Sequence, residues 1–528
     1  MKSGLRVELY DTTLRDGAQA PGLSYSVEDR MRILHKLDQL GVPLIEGGWP
    51  GANPRDTEFF RLATKEKLAN AELVAFGMTR RAGERAEDSA TLRDLLDAGT
   101  ETVCFVGKSW DVHVEKALRT DLDEGVAMVR DTVRHLRAQG RRVFFDAEHF
   151  FDGHRGNAAF AMRVLEAAAE EGAERLILCD TNGGVLPSEV ARAVREVRER
   201  IDGVPLGIHT HNDTGCAVAS ALAAVEAGVL QVQGVVNGYG ERTGNADIVP
   251  IAANLVLKMG AECLPDGAME RLTEVAHYVA EVANLNPDSH QPYAGRFAFT
   301  HKAGLHTSGV ARFVEAYEHV PPDSVGNRRG VVASDLGGRS TLQMKAAELG
   351  LELHEQALPG LLDALKERTA RGYAFEVADA SLELLIRRHD GWQQPFFEVE
   401  SYRVHVEQRQ GEEPLAEATV KVRAAGARHI ESAEGHGPVG ALDNALRKAL
   451  SNEYPELQHI TLEDYRVRVL EENIGSGATV RVLIDTSNGQ REWTTVGVSD
   501  NIIEASWEAL VDGYLFGLLH PRDDEPSG

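Results

Sequence analysis

The stretch VEDRMRILHKLDQLGVPLIEGG, residues 27–48, decides the fold. Val27, Met31, Leu34, Leu37 and Leu40 recur at spacings of three and four, which lines them up on one stripe of an α-helix. Gly41 stops that helix, and Leu44–Gly48 reads as a buried strand. A helix that feeds directly into a strand is half of a βαβ crossover, the unit of a parallel sheet. Working outward, β-rich runs recur at Val7–Tyr10, Leu73–Met78, Thr102–Val106, Arg142–Asp146, Leu176–Cys179, Leu206–Thr210 and Val232–Asn237, with helical segments between them. Eight strands at about 30-residue intervals predict an α/β fold, a (β/α)8 TIM barrel of about 250 residues. An open doubly wound sheet is the rival. It needs a glycine-rich first turn, and Asp11-Thr12-Thr13-Leu14-Arg15-Asp16 is not one.

The barrel is expected over residues 1–265. Residues 266–390 keep helical spacing (Leu272, Val275, Val279, Val282) but are broken by loops rich in Gly, Pro and Asn, which predicts small helical subdomains forming a linker or lid. Residues 391–528 change period again. Strands are expected at Phe397–Val406, Ala416–Arg423, Tyr465–Leu470, Ala478–Ile484 and Glu492–Val498, and helices at Val439–Leu450 and Asn501–Leu515. Ala441, Ala445 and Leu446 recur as Ala505, Ala509 and Leu510 at an offset of 64, a weak internal duplication within a separate α+β domain.

Composition excludes several classes. The 528 residues carry 56 Lys+Arg against 82 Asp+Glu, a formal charge of −26, which argues against nucleic acid as a partner. A few local cations can still hold a small anion. No apolar run approaches the ~18 residues of a membrane span, and the charged start is not a signal peptide. Cys104, Cys179, Cys216 and Cys263 are widely spaced, with no CxxC pair, so free buried thiols in a reducing cytoplasm are expected.

Polar residues collect where barrel strands end. Strand one is followed by Arg15-Asp16-Gly17-Ala18-Gln19 and strand two by Glu46-Gly47-Gly48. Strand five runs into Glu148-His149, strand six into Thr181-Asn182, strand seven into His209-Thr210-His211 and strand eight into Gly244-Asn245. His209 and His211, two apart on a strand, share a face and can reach one ion; a hydrogen-bonded pair is the plainer use. Asp16 could complete the set or cap a turn. With an oxygen from Asn245, these ligands leave room on an octahedral ion for a chelating α-keto acid. Arg15 would offer a fixed cation to its keto oxygen, or be a salt-bridged arginine. Glu148 is a candidate base or a structural ion partner. Thr181 could bind a carboxylate or cap a helix. His306, in His301-Lys302-Ala303-Gly304-Leu305-His306, could belong to a lid over the barrel mouth or to a plain loop.

Leu14-Arg15-Asp16-Gly17-Ala18-Gln19, the stretch Leu206–Ala219 around His209-Thr210-His211-Asn212-Asp213, and Gly240-Glu241-Arg242-Thr243-Gly244-Asn245 resemble three signatures of one family. It is the family of α-isopropylmalate, homocitrate and citramalate synthases. Glu46-Gly47-Gly48-Trp49-Pro50-Gly51 and Asn501-Ile502-Ile503-Glu504-Ala505-Ser506-Trp507 are similar to its citramalate branch, and Gly435-His436-Gly437-Pro438-Val439 resembles its regulatory domain. The resemblance implies a Claisen condensation of acetyl-CoA with pyruvate and isoleucine as effector of a C-terminal α+β regulatory domain. It implies a cytoplasmic homodimer with no membrane or nucleic-acid partner. Asp16, His209, His211 and Asn245 would hold a divalent metal (Mg2+ or Mn2+, with Zn2+ as an option). Arg15, Gln19, Glu46 and Thr181 would contact substrate, and Arg15, Glu148 and His306 would act in catalysis. A sibling synthase acting on 2-ketoisovalerate and a metal-dependent acyl-CoA lyase are the alternatives.

Overall fold

The computed structural model describes residues 4–301, 309–310, 313–331, 339–408, 414–470 and 478–522. They fall into two compact units, Met1–Phe299 with Val320–Arg329, and Thr300–His319 with Gly330–Gly528. The helix Val27–Leu40 forms as its spacing predicts. Ser26 and Asp29 close a reciprocal capping box at its start, and Gly41, at φ 90°, ends it. A side chain at Gly41 would also overlap the Pro265 ring, so both conformation and space require glycine there.

Strands β1 (Glu8–Asp11), β2 (Leu44–Glu46), β3 (Glu72–Met78), β4 (Thr102–Lys108), β5 (Arg142–Glu148), β6 (Arg175–Asp180), β7 (Leu206–Thr210) and β8 (Gln231–Gly234) form a closed parallel barrel. β1 pairs with β8, Glu8 facing Gln231 and Asp11 facing Gly234. Period two divides the side chains. Tyr10, Leu44, Val74, Phe76, Cys104, Phe144, Ile177 and Cys179 fill the interior. Leu9, Ile45, Ala75, Phe105, Phe145 and Leu178 face the helices in the larger core. The expected eighth strand is shorter than its apolar run. The chain coils at Val236–Gly238, where Asn237 takes a left-handed φ of 64° and donates from its side chain to the Ala276 carbonyl.

The second unit contains two three-stranded antiparallel sheets, Phe397–Glu407, Leu415–Ala424, Ala427–Gly435 and Thr461–Val469, Val480–Ser487, Glu492–Ser499. A helix follows each, Pro438–Leu450 and Ile502–Leu519. The offset of 64 therefore relates two copies of one sheet-plus-helix unit, and all six repeated Ala and Leu positions are buried in a shared core. Strand Ala427–Gly435 has no apolar face, which is why alternation does not reveal it. Helix Asp379–His389 is joined to the second copy through Asp512, which accepts from Ser381 Oγ at 3.0 Å and Arg388 Nη2 at 2.7 Å. His520 Nε2 meets Glu383 Oε1 at 2.8 Å. Among the described residues, no helix is long and apolar enough to cross a membrane.

The helix–sheet approach in the second copy depends on Gly497, where a methyl group would overlap the Ala505 carbonyl. Gly497→Ala should cost about 1–3 kcal/mol, read as a lower urea midpoint for this unit. Gly440→Ala, with open space at its Cβ and helical backbone, should instead stabilise by about 0.5–1 kcal/mol. Equal effects at the two positions would contradict the packing argument.

Candidate active site

The carboxyl ends of the strands assemble the site. After β1, Asp11 accepts from the Thr13 amide and hydroxyl, both at 2.9 Å, while the Val236 amide donates to Thr13 Oγ1 at 2.9 Å. This folds the turn that carries Arg15 and Asp16 onto the barrel mouth. Burial pushes the Asp11 carboxyl up to about 7. Arg15 stacks 3.9 Å above the Phe76 ring, donates to Asp16 at 2.9 Å, and pairs through Nε with Glu46. Glu46 is fully buried and also accepts from Tyr10 at 2.6 Å. Burial raises its pKa against the opposing pull of Arg15.

Asp16, His209 and His211 converge, with one potential ligand atom from each lying within 4.8 Å of the others. Asp16 Oδ2 stands 3.4 Å from His209 Nε2 and 3.9 Å from His211 Nε2. Burial opposes ionisation of Asp16, yet Arg15 and the two histidines hold its carboxyl well below the usual range. Burial lowers both histidines, His211 to about 4, so both are neutral and free to ligate at pH 7. His209 Nδ1 meets Gln233 Oε1 at 2.8 Å, which fixes the tautomer and leaves Nε2 as the donor atom. His211 Nδ1 and Asn245 Oδ1 are buried without hydrogen-bond partners among the described residues. Asn245 Nδ2 donates to Asp16 at 3.2 Å, and a side chain at Gly240 would overlap that amide. A carboxylate, two neutral imidazoles and an orphaned amide oxygen fit a divalent ion.

The remaining expected residues are spread more widely. Glu148 is half-buried at the end of β5 and forms an ion pair with Lys108, its register partner on β4. Thr181 Oγ1 accepts from the His149 amide at 2.9 Å, and the Thr181 carbonyl from Arg242 at 2.8 Å. Gln19 is exposed on the short turn Gly17–Gln19. His306 lies outside the described residues. All four cysteines are free; three are buried, and Cys216 is half-exposed, contrary to expectation. A cavity of about 610 Å3 opens beside Asn245, lined among others by Asn212, Tyr239, Asp247 and Gln291, with no basic residue among the described residues that line it.

Asp146 and Gln233 were not expected. Asp146 accepts from Gln233 Nε2 at 3.0 Å and Cys104 Sγ at 3.2 Å, extending the chain behind His209. Its place two residues before Glu148, on the same strand face, is the available signal. Burial, then repulsion from Glu46, pushes its carboxyl from 3.8 to about 7. A raised folded-state pKa means that stability from this group is present below about pH 4 and lost as pH rises to 7. Asp146→Asn should therefore raise Tm relative to the parent by an amount that grows from pH 4 to 7 and then levels. A pH-independent difference would refute this.

Three family profiles match the chain: HMGL-like at residues 6–279, homocitrate synthase post-HMGL domain-like at 294–372, and LeuA allosteric (dimerisation) domain at 376–516. The chain is 52% identical over 515 residues to an (R)-citramalate synthase of Streptomyces coelicolor, covering 97% of this chain and 96% of that one. It is 47% identical over 523 residues to an (R)-citramalate synthase of Aquifex aeolicus, covering 98% and 99%. A probable 2-isopropylmalate synthase of Methanopyrus kandleri is more distant, at 32% over 509 residues, covering 96% and 97%.

Proposed function

This chain belongs to the HMGL-like family, in the line of its (R)-citramalate synthase relatives, and from that premise we propose how it makes (R)-citramalate. The reaction is an acyl transfer in which the methyl carbon of acetyl-CoA attacks the keto carbon of pyruvate, followed by hydrolysis of the thioester. The observation that carries this reading is the buried Asp16/His209/His211 group with Arg15 bonded to Asp16. These three residues, with Asn245, would hold a divalent ion, Mg2+ or Mn2+ before Zn2+, which polarises a keto oxygen when bound.

Arg15 points a fixed cation at the keto oxygen and neutralises the alkoxide that forms. Glu46 and Phe76 hold that guanidinium in place. Thr181 orients the pyruvate carboxylate. The cavity beside Asn245 is lined by several amides, Asn212, Asn237, Asn254 and Gln291 among them, beside the carboxylates of Asp247 and Asp288, and its amides suit the uncharged, amide-bearing arm of the thioester substrate. The three profile matches support a division into barrel, linker or lid, and regulatory domain, placed here at 1–265, 266–390 and 391–528, although the first profile runs to 279 and the last begins at 376. The LeuA-type allosteric (dimerisation) domain supports a homodimer under allosteric feedback, for which isoleucine, the end product that the reaction serves, is the proposed effector. The free cysteines support a cytoplasmic setting.

The test is CoA release from acetyl-CoA with pyruvate, 2-ketoisovalerate or 2-ketoglutarate, with and without Mg2+ or Mn2+, and then with isoleucine. Pyruvate should be the preferred acceptor, with turnover dependent on metal and inhibited by isoleucine. Faster release with 2-ketoisovalerate would make this a 2-isopropylmalate synthase.

A further inference from the structure

A second cluster of titratable groups stands at the barrel mouth, and none of the roles above uses it. His149 directly follows β5, takes a left-handed φ of 56°, and begins the helix Phe150–Glu170. It is 8% exposed. Its Nδ1 lies 3.3 Å from Asp152 Oδ2, which also accepts from Asn182 Nδ2 at 2.8 Å. Its Nε2 has no hydrogen-bond partner among the described residues. The ring meets His113 edge-on at 4.3 Å, and His113 stacks on Trp110 at 4.8 Å.

The surrounding wall is built for close approach. A methyl group at Gly153 would overlap the Ser109 carbonyl, so only glycine lets the loop after β4 descend onto this helix. Ser109 Oγ donates to the Glu148 carbonyl at 2.7 Å, and Asn157 Nδ2 donates to Asp111 at 2.8 Å. The same loop contains a π-turn at Val114–Leu118, a distortion common at functional sites. The His149 amide bonds the Thr181 hydroxyl, so the imidazole is one residue's backbone away from the proposed keto-acid contact.

A histidine backed by a carboxylate, with one ring nitrogen unused, is a general acid–base unit. The reaction requires one after carbon–carbon bond formation. The groups around Asp16 are committed to the ion and to Arg15. Resting on the function proposed above, we propose that His149, oriented by Asp152, catalyses hydrolysis of the citramalyl thioester. Water oxygen attacks the thioester carbonyl carbon as His149 Nε2 takes its proton. The C–S bond then breaks, and Nε2–H returns the proton to the departing CoA thiolate. One water is consumed; the new carboxylic acid ionises into solvent, and no electrons change hands.

Rapid-quench turnover of radiolabelled acetyl-CoA with pyruvate separates the steps, because the acyl-CoA adduct and free citramalate elute apart. His149→Asn is chosen because asparagine tolerates the left-handed backbone, and Asp152→Asn is the second variant. In both, condensation should continue while hydrolysis falls, by about a hundredfold or more for His149→Asn, so that citramalyl-CoA accumulates. Asp152→Asn alone decides the matter if the first variant does not fold. Condensation and hydrolysis falling together, or hydrolysis unchanged, would overturn the proposal. Absence of condensation in the parent enzyme would instead overturn the function on which it rests.

Discussion

Asp16→Asn should abolish metal-dependent turnover and leave the fold standing. Asp16 is the only charged member of a group whose other members, His209 and His211, are kept neutral by burial. Exchanging its carboxylate for an amide removes that charge and keeps the volume. A bound divalent ion contributes several kcal/mol of charge stabilisation, so turnover should fall by about three orders of magnitude. Arg15 retains Glu46 as its partner, which limits the structural cost. Metal content after dialysis and steady-state turnover should both be lost, while melting stays cooperative and shifts down by no more than the lost Arg15–Asp16 pair accounts for. Full activity in this variant would end the ligand assignment.

Arg15→Met should damage both stability and turnover, and a second substitution should separate the two. Glu46 is fully buried, and its charge is balanced by Arg15. Removing the guanidinium strands a buried carboxylate, at a cost of about 3–5 kcal/mol. Turnover should fall by about 10²–10³-fold, the usual loss for a donor aimed at a developing oxyanion. Adding Glu46→Gln removes the stranded charge, and the new amide oxygen can still accept from Tyr10. The double variant should recover the part of the stability that the stranded Glu46 charge cost, though not the part lost with the Arg15–Asp16 pair, and none of the activity. Recovered activity would mean that Arg15 acts only by neutralising Glu46.

The barrel was legible because each of its strands is a short apolar run between amphipathic helices, and the period-two pair His209/His211 marks one face whatever the surrounding fold. Other features depend on register or depth, which a linear pattern does not encode. That Glu148 has a lysine opposite it follows from the pairing of β4 with β5, which sets Lys108 in register with it. Asp146 sits on the same strand, but its perturbation comes from burial beside Cys104, Gln233 and Glu46, which belong to three other strands. β2 is only three residues long, too short for alternation to show that Glu46 faces inward. Strand Ala427–Gly435 has one exposed face and one half-buried face, and the latter carries His429 and Glu431 where a buried strand would carry valines.

The doubled sheet-and-helix unit has one further consequence. Asp512 is 4% exposed and tied to Ser381 and Arg388, while Lys448, its counterpart 64 residues earlier, has a side chain 59% exposed and pairs with Glu431. Once one copy had taken on the helix Asp379–His389, its matching surface was no longer free to drift, whereas the sister copy kept that freedom. At the level of residues the repeat is read in its small, buried alanines and leucines. Ancestral symmetry is best sought there, and specialisation at the polar positions where the twins have parted.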